Sequence, residues 1–162
     1  MTIAVCPGSF DPVTNGHLDV FSRAAAHFDH VTVLVTGNPT KSSGLFTVEE
    51  RVELIREVTA GIPNVDVDFW GGLLVEYTNQ HHITALVKGL RSSLDYDYEL
   101  PMAQMNRRLS GVETFFVMTD EKYGYVSSSL CKEVVKYGGD ITGLVHPKVL
   151  DAMQEKFAEQ HR

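Results

Sequence analysis

Two apolar rhythms take turns along the chain. Residues 2–6 form a short apolar run that ends at Pro7-Gly8, which predicts a buried strand running into a tight loop. Between 16 and 28 the apolar residues Leu18, Phe21, Ala25 and Phe28 share one helical face. Residues 30–36 (HVTVLVT) are β-branched and apolar, a second buried strand. After a polar loop over 37–45, Thr47 and Glu50 have the spacing of a capping box. Val48, Val52, Ile55 and Thr59 continue that helix on one face. The pattern then predicts a strand over 65–69, a helix over 73–80 and a strand over 83–87. Residues 95–109 read as helical except for Pro101, which either starts that helix or kinks it. A fifth strand over 114–118 and helices over 129–137 and 147–159 close the chain, the last with Leu150, Met153 and Phe157 on one side. Five buried strands alternating with helices predict an α/β fold, a Rossmann-like parallel five-stranded sheet with helices on both faces. Ligands of such sheets bind beyond the carboxyl ends of the strands. The loops after Cys6, Thr36, Val87 and Met118 are therefore the places to search.

Composition narrows the function classes. The 162 residues fit one domain, spanning 1–162. Fourteen Lys and Arg against 21 Asp and Glu leave a net charge of -7, which argues against nucleic acid and membrane surfaces as partners. A local basic cluster can still hold a phosphate, because exposed charges are screened over about 8 Å. No apolar run approaches the roughly 20 residues that span a bilayer. The N-terminus lacks the charged and apolar regions of a signal peptide. Cys6 and Cys131 fit no zinc spacing and read as buried thiols. A cytoplasmic location is the expectation.

The four loops carry the unusual residues. In the first, Gly8 permits close backbone approach, Ser9 adds an N–H and a hydroxyl, and Gly16-His17 falls at a helix start, where free N–H groups suit a phosphate. Singly, a cap and a solvated histidine would explain Thr14-Asn15-Gly16-His17; two glycines, a serine and a histidine in one loop favour the phosphate. The second loop holds Lys41, a surface lysine by default, here within reach of a strand end. Lys88-Gly89-Leu90-Arg91 sets two cations around a glycine after the fourth strand, and with His17 and Lys41 these predict a positive cluster. After the fifth strand, residues 123–129 (Tyr123, Gly124, Tyr125, Val126, Ser127, Ser128, Ser129) end in three serines at a helix start, a simple cap or a second phosphate cradle. His27, His30, His81, His82, His146 and His161 make no metal-ligand set, and Asp95, Asp97 and Glu99 read as an acidic face. No Walker A, GxGxxG or GxSxG motif is present.

Five segments in order, PGSFDPVTNGH at 7–17, FTVEER at 46–51, VKGLR at 87–91, DYELPMAQMNR at 97–107 and VSSSLCKEV at 126–134, resemble the HxGH nucleotidylyltransferase superfamily nearly end to end. Thr14 stands where that motif is often written with His or Thr, and Lys88 where many members have Arg. The resemblance implies transfer of AMP from ATP to 4′-phosphopantetheine, giving dephospho-coenzyme A and pyrophosphate, with magnesium (Mg2+) as cofactor. It implies His17 and Lys41 as catalytic residues. It implies an ATP site from Ser9, Phe10, His17, Gly89, Leu90, Arg91, Glu99 and 123–129, and an acceptor site from Ser9, Lys41, Leu74 and Lys88. It also implies a homo-oligomer, a hexamer. A cytidylyltransferase, an adenylyltransferase for another acceptor and a non-catalytic nucleotide-binding subunit remain as alternatives.

Overall fold

The structure, a computed structural model, describes residues 1–37 and 44–162. Its strands are β1 (Ile3–Gly8), β2 (His30–Thr36), β3 (Val65–Trp70), β4 (Ala85–Leu90) and β5 (Glu113–Met118). The helices are α1 (Asn15–His27), α2 (Val48–Thr59), α3 (Leu74–Gln80), α4 (Ser93–Ser110), α5 (Ser128–Lys136) and α6 (Pro147–Gln160). All four strand pairings are parallel, in the order β3-β2-β1-β4-β5. Strand alternation divides the core between two faces. Ala4, Cys6, Val31, Val33, Val35, Ala85 and Val87 pack with α1, α2, α5 and α6, while Val5, Leu34 and Leu86 pack with Tyr77 of α3.

The chain winds outward from β1 through β2 to β3, returns through α3 to the other side of β1, and continues to β5. The switch point lies between β1 and β4. These strands pair only at Ala4 with Ala85 and Val5 with Leu86. Beyond that, β1 continues along β2 to Gly8 opposite Val35, and β4 along β5 to Leu90 opposite Met118. The two central strands diverge, and a cleft opens between their carboxyl halves. Lys88-Gly89-Leu90, expected in a loop, therefore belongs to β4. A strand lacking a neighbour on one side tolerates a lysine and a glycine that a fully paired central strand would not.

The capping box predicted at Thr47 and Glu50 is present. Pro101 lies within α4 and does not start it. The proline removes one N–H from the helix ladder, and because that face is exposed, the carbonyl it frees can reach water. Helix α4 is unusual in having no buried residue, and its Leu94, Tyr98, Met105 and Leu109 are each more than half exposed.

Candidate active site

The cleft has two connected lobes, of about 280 and 260 Å3. His17, Val20, Gly89, Glu99 and Ser128 line both. The inner lobe is built on the divergence itself, from Cys6–Gly8 backbone, Ser9, Phe10 and Lys88. The outer lobe is closed by Thr14 and Gly16, by Arg91, Asp95 and Tyr98, and by Thr119, Val126 and Ser127.

Two helix N-termini meet there. Thr14 caps α1 and Ser127 caps α5, whose hydroxyl accepts from Leu130 N–H at 3.1 Å. The Ser128 hydroxyl donates to Pro12 O at 2.7 Å, so the serine turn and the first loop touch directly. Asn15 fixes the start of α1 from the far side: its backbone N–H donates to Leu144 O and its side chain to Gly143 O, both at 2.9 Å. First-turn N–H groups point out of each helix with a partial positive charge, a fitting surface for phosphate oxygens.

His17 occupies the third position of α1 and acts as the reciprocal half of a capping box. Thr14 N–H donates to His17 Nδ1 at 3.0 Å. Nδ1 is therefore the unprotonated nitrogen, and a neutral imidazole carries its hydrogen on Nε2. The ring packs edge-on to Phe10, 5.0 Å between centroids, and stacks with Phe21 at 6.4 Å. Burial and then the nearby Arg91 charge push its pKa down from 6.5 to about 4. At neutral pH His17 is thus an uncharged donor whose Nε2–H is left for a ligand.

The first loop is held for this purpose. Phe10 adopts a left-handed φ of 47°, a conformation that costs a non-glycine residue energy and is found at ligand sites. This turn lays its ring over Gly8, where a Cβ would come within 2.8 Å of the ring. A larger residue at Gly8 would have to displace the Phe10 ring from this position. Asp11 is buried and accepts N–H groups of Leu45 and Phe46, both at 2.9 Å, with Arg51 at 3.5 Å and Lys132 at 3.3 Å completing its surroundings. Arg51 also donates to Ser9 O at 3.4 Å. The loop is tied through one carboxylate to α2 and α5.

Both cations contributed by the β4 end are paired. Lys88 Nζ lies 2.6 Å from Glu99 Oε2. Arg91 Nε lies 3.1 Å from Asp95 Oδ2, its Nη2 reaches Asp95 Oδ1 at 3.3 Å, and its Nη1 donates to Val126 O at 3.0 Å. The predicted positive cluster is therefore corrected: with His17 neutral, each remaining described cation carries its own carboxylate from α4. Cys6 lines the inner lobe, but burial pushes its thiol up to about 12, so it is no nucleophile at neutral pH.

Of the residues expected in the site, the cleft gathers Ser9, Phe10, His17, Lys88, Gly89 and Arg91, and from later elements Glu99, Val126, Ser127 and Ser128. Leu74 lies apart, packed against the core on the α3 face. Leu90 is buried in β4, and Tyr123, Gly124, Tyr125 and Ser129 do not line the cleft. Lys41 falls outside the described residues. Sequence reasoning missed Thr119, Tyr98 and Asp11, and it read Asp95 as part of an exposed acidic face. The four-residue spacing from Arg91 to Asp95 was the one available signal.

A parallel sheet with a two-lobed cleft at its switch point, two helix N-termini facing one lobe and a neutral imidazole between the lobes defines a nucleotidyl-transferring class of protein. Known proteins agree. The Cytidylyltransferase-like family matches residues 5–134. A phosphopantetheine adenylyltransferase of Corynebacterium efficiens is 70% identical over 97% of this chain and 99% of its own length. The proteins of that name from Corynebacterium diphtheriae and Streptomyces coelicolor are 64% and 56% identical, each over 96% of this chain and 98% of theirs. The chain belongs to the Cytidylyltransferase-like family, on its phosphopantetheine adenylyltransferase branch.

Proposed function

We propose that the chain transfers the adenylyl group of ATP to 4′-phosphopantetheine, giving dephospho-coenzyme A and pyrophosphate. The observation that carries this reading is the position of His17 at the junction of the two lobes. ATP occupies the outer lobe, with its β- and γ-phosphates toward Arg91 and the Ser127–Ser128 turn. The acceptor's phosphate enters the inner lobe beside Ser9 and Lys88. An oxygen of that phosphate attacks the α-phosphorus, a new P–O bond forms, and the bond to the β-phosphate breaks as pyrophosphate leaves. The attacking oxygen is already anionic, so no base is required. Alignment and stabilisation of developing charge are the protein's tasks. His17 Nε2–H donates to an α-phosphate oxygen; removing one such preorganised donor typically costs about 10²–10³ in turnover. Lys41 keeps the acceptor-side role implied by the resemblance.

Magnesium is part of this proposal as a component of the substrate. No cluster of three or more His, Cys, Asp or Glu side chains suited to a metal occurs among the described residues. The two carboxylates of the outer lobe, Asp95 and Glu99, are engaged by Arg91 and Lys88. These residues do not make a resident magnesium site, and the ion arrives on the phosphate oxygens of ATP.

The exposed stripe on α4 supports a homo-oligomer, proposed as a hexamer on the resemblance. Exposed apolar area of this extent commonly marks an interface. No helix among the described residues is long and apolar enough to cross a membrane, and we place the activity in the cytoplasm. The test is direct: incubate the pure protein with ATP, magnesium and 4′-phosphopantetheine and analyse the products by mass. Dephospho-coenzyme A and pyrophosphate are expected, and both disappear when EDTA is added. Turnover with CTP in place of ATP, or none with either nucleotide, would overturn the reading.

A further inference from the structure

Asp95 stands one helical turn before Glu99 on α4, and the two carboxylates take the two cations of the β4 end. Asp95 has the more elaborate contacts. Its Oδ2 accepts the backbone N–H of Arg91 at 2.9 Å and the Nε–H at 3.1 Å, while Oδ1 takes Nη2 at 3.3 Å. One carboxylate thus fixes both the main chain and the guanidinium plane of the same residue. The third point is the Val126 carbonyl, 3.0 Å from Arg91 Nη1, on the turn that leads into α5. A guanidinium has five N–H donors. Three are used in these contacts, which leaves one on each terminal nitrogen, at the wall of the outer lobe. Burial pushes the Asp95 carboxyl up, but the Arg91 hydrogen bonds outweigh it and hold the group below its ordinary value.

We propose that Asp95 is a positioning residue for the nucleotide: by holding the Arg91 fork between α4 and the Val126 carbonyl, it aims the two free N–H groups at the leaving phosphates. This rests on the reading of the outer lobe as the ATP site. The alternative role for a carboxylate beside a triphosphate is plain repulsion, and the two roles have opposite signs. Were Asp95 a mere neighbouring charge, its neutralisation would tighten ATP binding, because like charges repel across a short, poorly screened gap. With a positioning role, neutralisation weakens ATP binding in spite of the charge removed.

The experiment is calorimetric titration of ATP into the wild type, Asp95→Asn, Arg91→Lys and the double variant, with steady-state kinetics alongside. Binding stoichiometry reports the folded fraction, so a partly unfolded preparation does not mimic weak binding. For Asp95→Asn, ATP affinity and kcat/KM for ATP are expected to fall about tenfold or more, with KM for 4′-phosphopantetheine within twofold of wild type. In the Arg91→Lys background, where the fork no longer exists to be aimed, the same change is expected to alter ATP affinity by less than twofold. Unchanged or tighter ATP binding in Asp95→Asn, or a loss of equal size in both backgrounds, overturns the proposal. A wild-type protein that forms no dephospho-coenzyme A would instead remove the reading of the site on which it rests.

Discussion

Protonation of His17 should cost the fold its stability in a defined acid window. The imidazole is held neutral by burial and by Arg91, with a pKa lowered from 6.5 to about 4. Above pH 6.5 neither the folded nor the unfolded chain protonates it. Between 6.5 and 4 the unfolded chain takes up a proton that the folded chain refuses, so stability falls as pH falls through that window. A tenfold change in proton affinity between the two states is worth about 1.4 kcal/mol. Allowing for the side of the ring that opens to the cleft, the loss comes to about 2 to 3 kcal/mol. His17→Gln isolates it, because glutamine can accept from Thr14 N–H and does not titrate. Urea unfolding followed by the single tryptophan, Trp70, at pH 7.5 and pH 4.5 provides the assay, since the other histidines and the carboxylates cancel in the difference. The wild type is expected to lose about 2 to 3 kcal/mol more than the variant between the two pH values. Equal losses in the two proteins would show that His17 is not held neutral, and the assignment of its Nε2–H as an uncharged donor would go with it.

Other changes probe the cleft and the helix beside it. Gly89→Ala would bring a Cβ to 2.8 Å from Val20 Cγ2 and 3.3 Å from Thr119 Oγ1; a loss of about 1–3 kcal/mol in a thermal melt and a fall in kcat/KM for ATP are expected. Lys88→Met leaves Glu99 without its 2.6 Å partner, and destabilisation of about 1–3 kcal/mol is expected. Adding Glu99→Gln should restore most of that stability while KM for 4′-phosphopantetheine stays raised; recovery of both together would show that Lys88 does not meet the acceptor. Met105→Glu places a charge in the exposed stripe of α4, and sedimentation should shift to smaller species with unchanged circular dichroism.

The fold was legible because its central strands β1, β2 and β4 are largely buried on both faces, where side chains leave apolar runs broken at turns, while the edge strands β3 and β5 are partly exposed but keep strand-length apolar segments. The end of β4 was not legible. Lys88-Gly89 has the composition of a loop, and only the divergence of β1 from β4 explains why it continues as strand. The phosphate-facing features of the first loop and of the serine turn were readable as local motifs, glycine for close approach and hydroxyls at a helix start. Their partners were not: Lys88 and Glu99 are eleven residues apart on different elements, and nothing local links them. Thr14 and His17 show a subtler gap. A capping box is expected to carry Glu or Gln at its third position, so the histidine that fills that place was seen as a candidate ligand but not as a cap. The cap is what fixes its tautomer.

Charge pairing in the cleft bears on how this site handles two polyanions. An unpaired cation 4 Å from a phosphate would gain about 4 kcal/mol at an effective dielectric near 20, and several together would hold substrates and products alike. Here Asp95 and Glu99 offset Arg91 and Lys88, and His17 is neutral. What remains among the described residues is directional: the N–H groups of two helix ends, the hydroxyl of Ser127, the Nε2–H of His17, and the guanidinium donors left free by Asp95. Such donors bind strongly only where a phosphate oxygen stands in line with them. Long-range attraction treats every phosphate equally, whereas these groups favour the arrangement that brings the acceptor oxygen and the α-phosphorus together at the junction of the lobes. A site built this way gains selectivity for the transition-state geometry from the same contacts that keep it from retaining pyrophosphate.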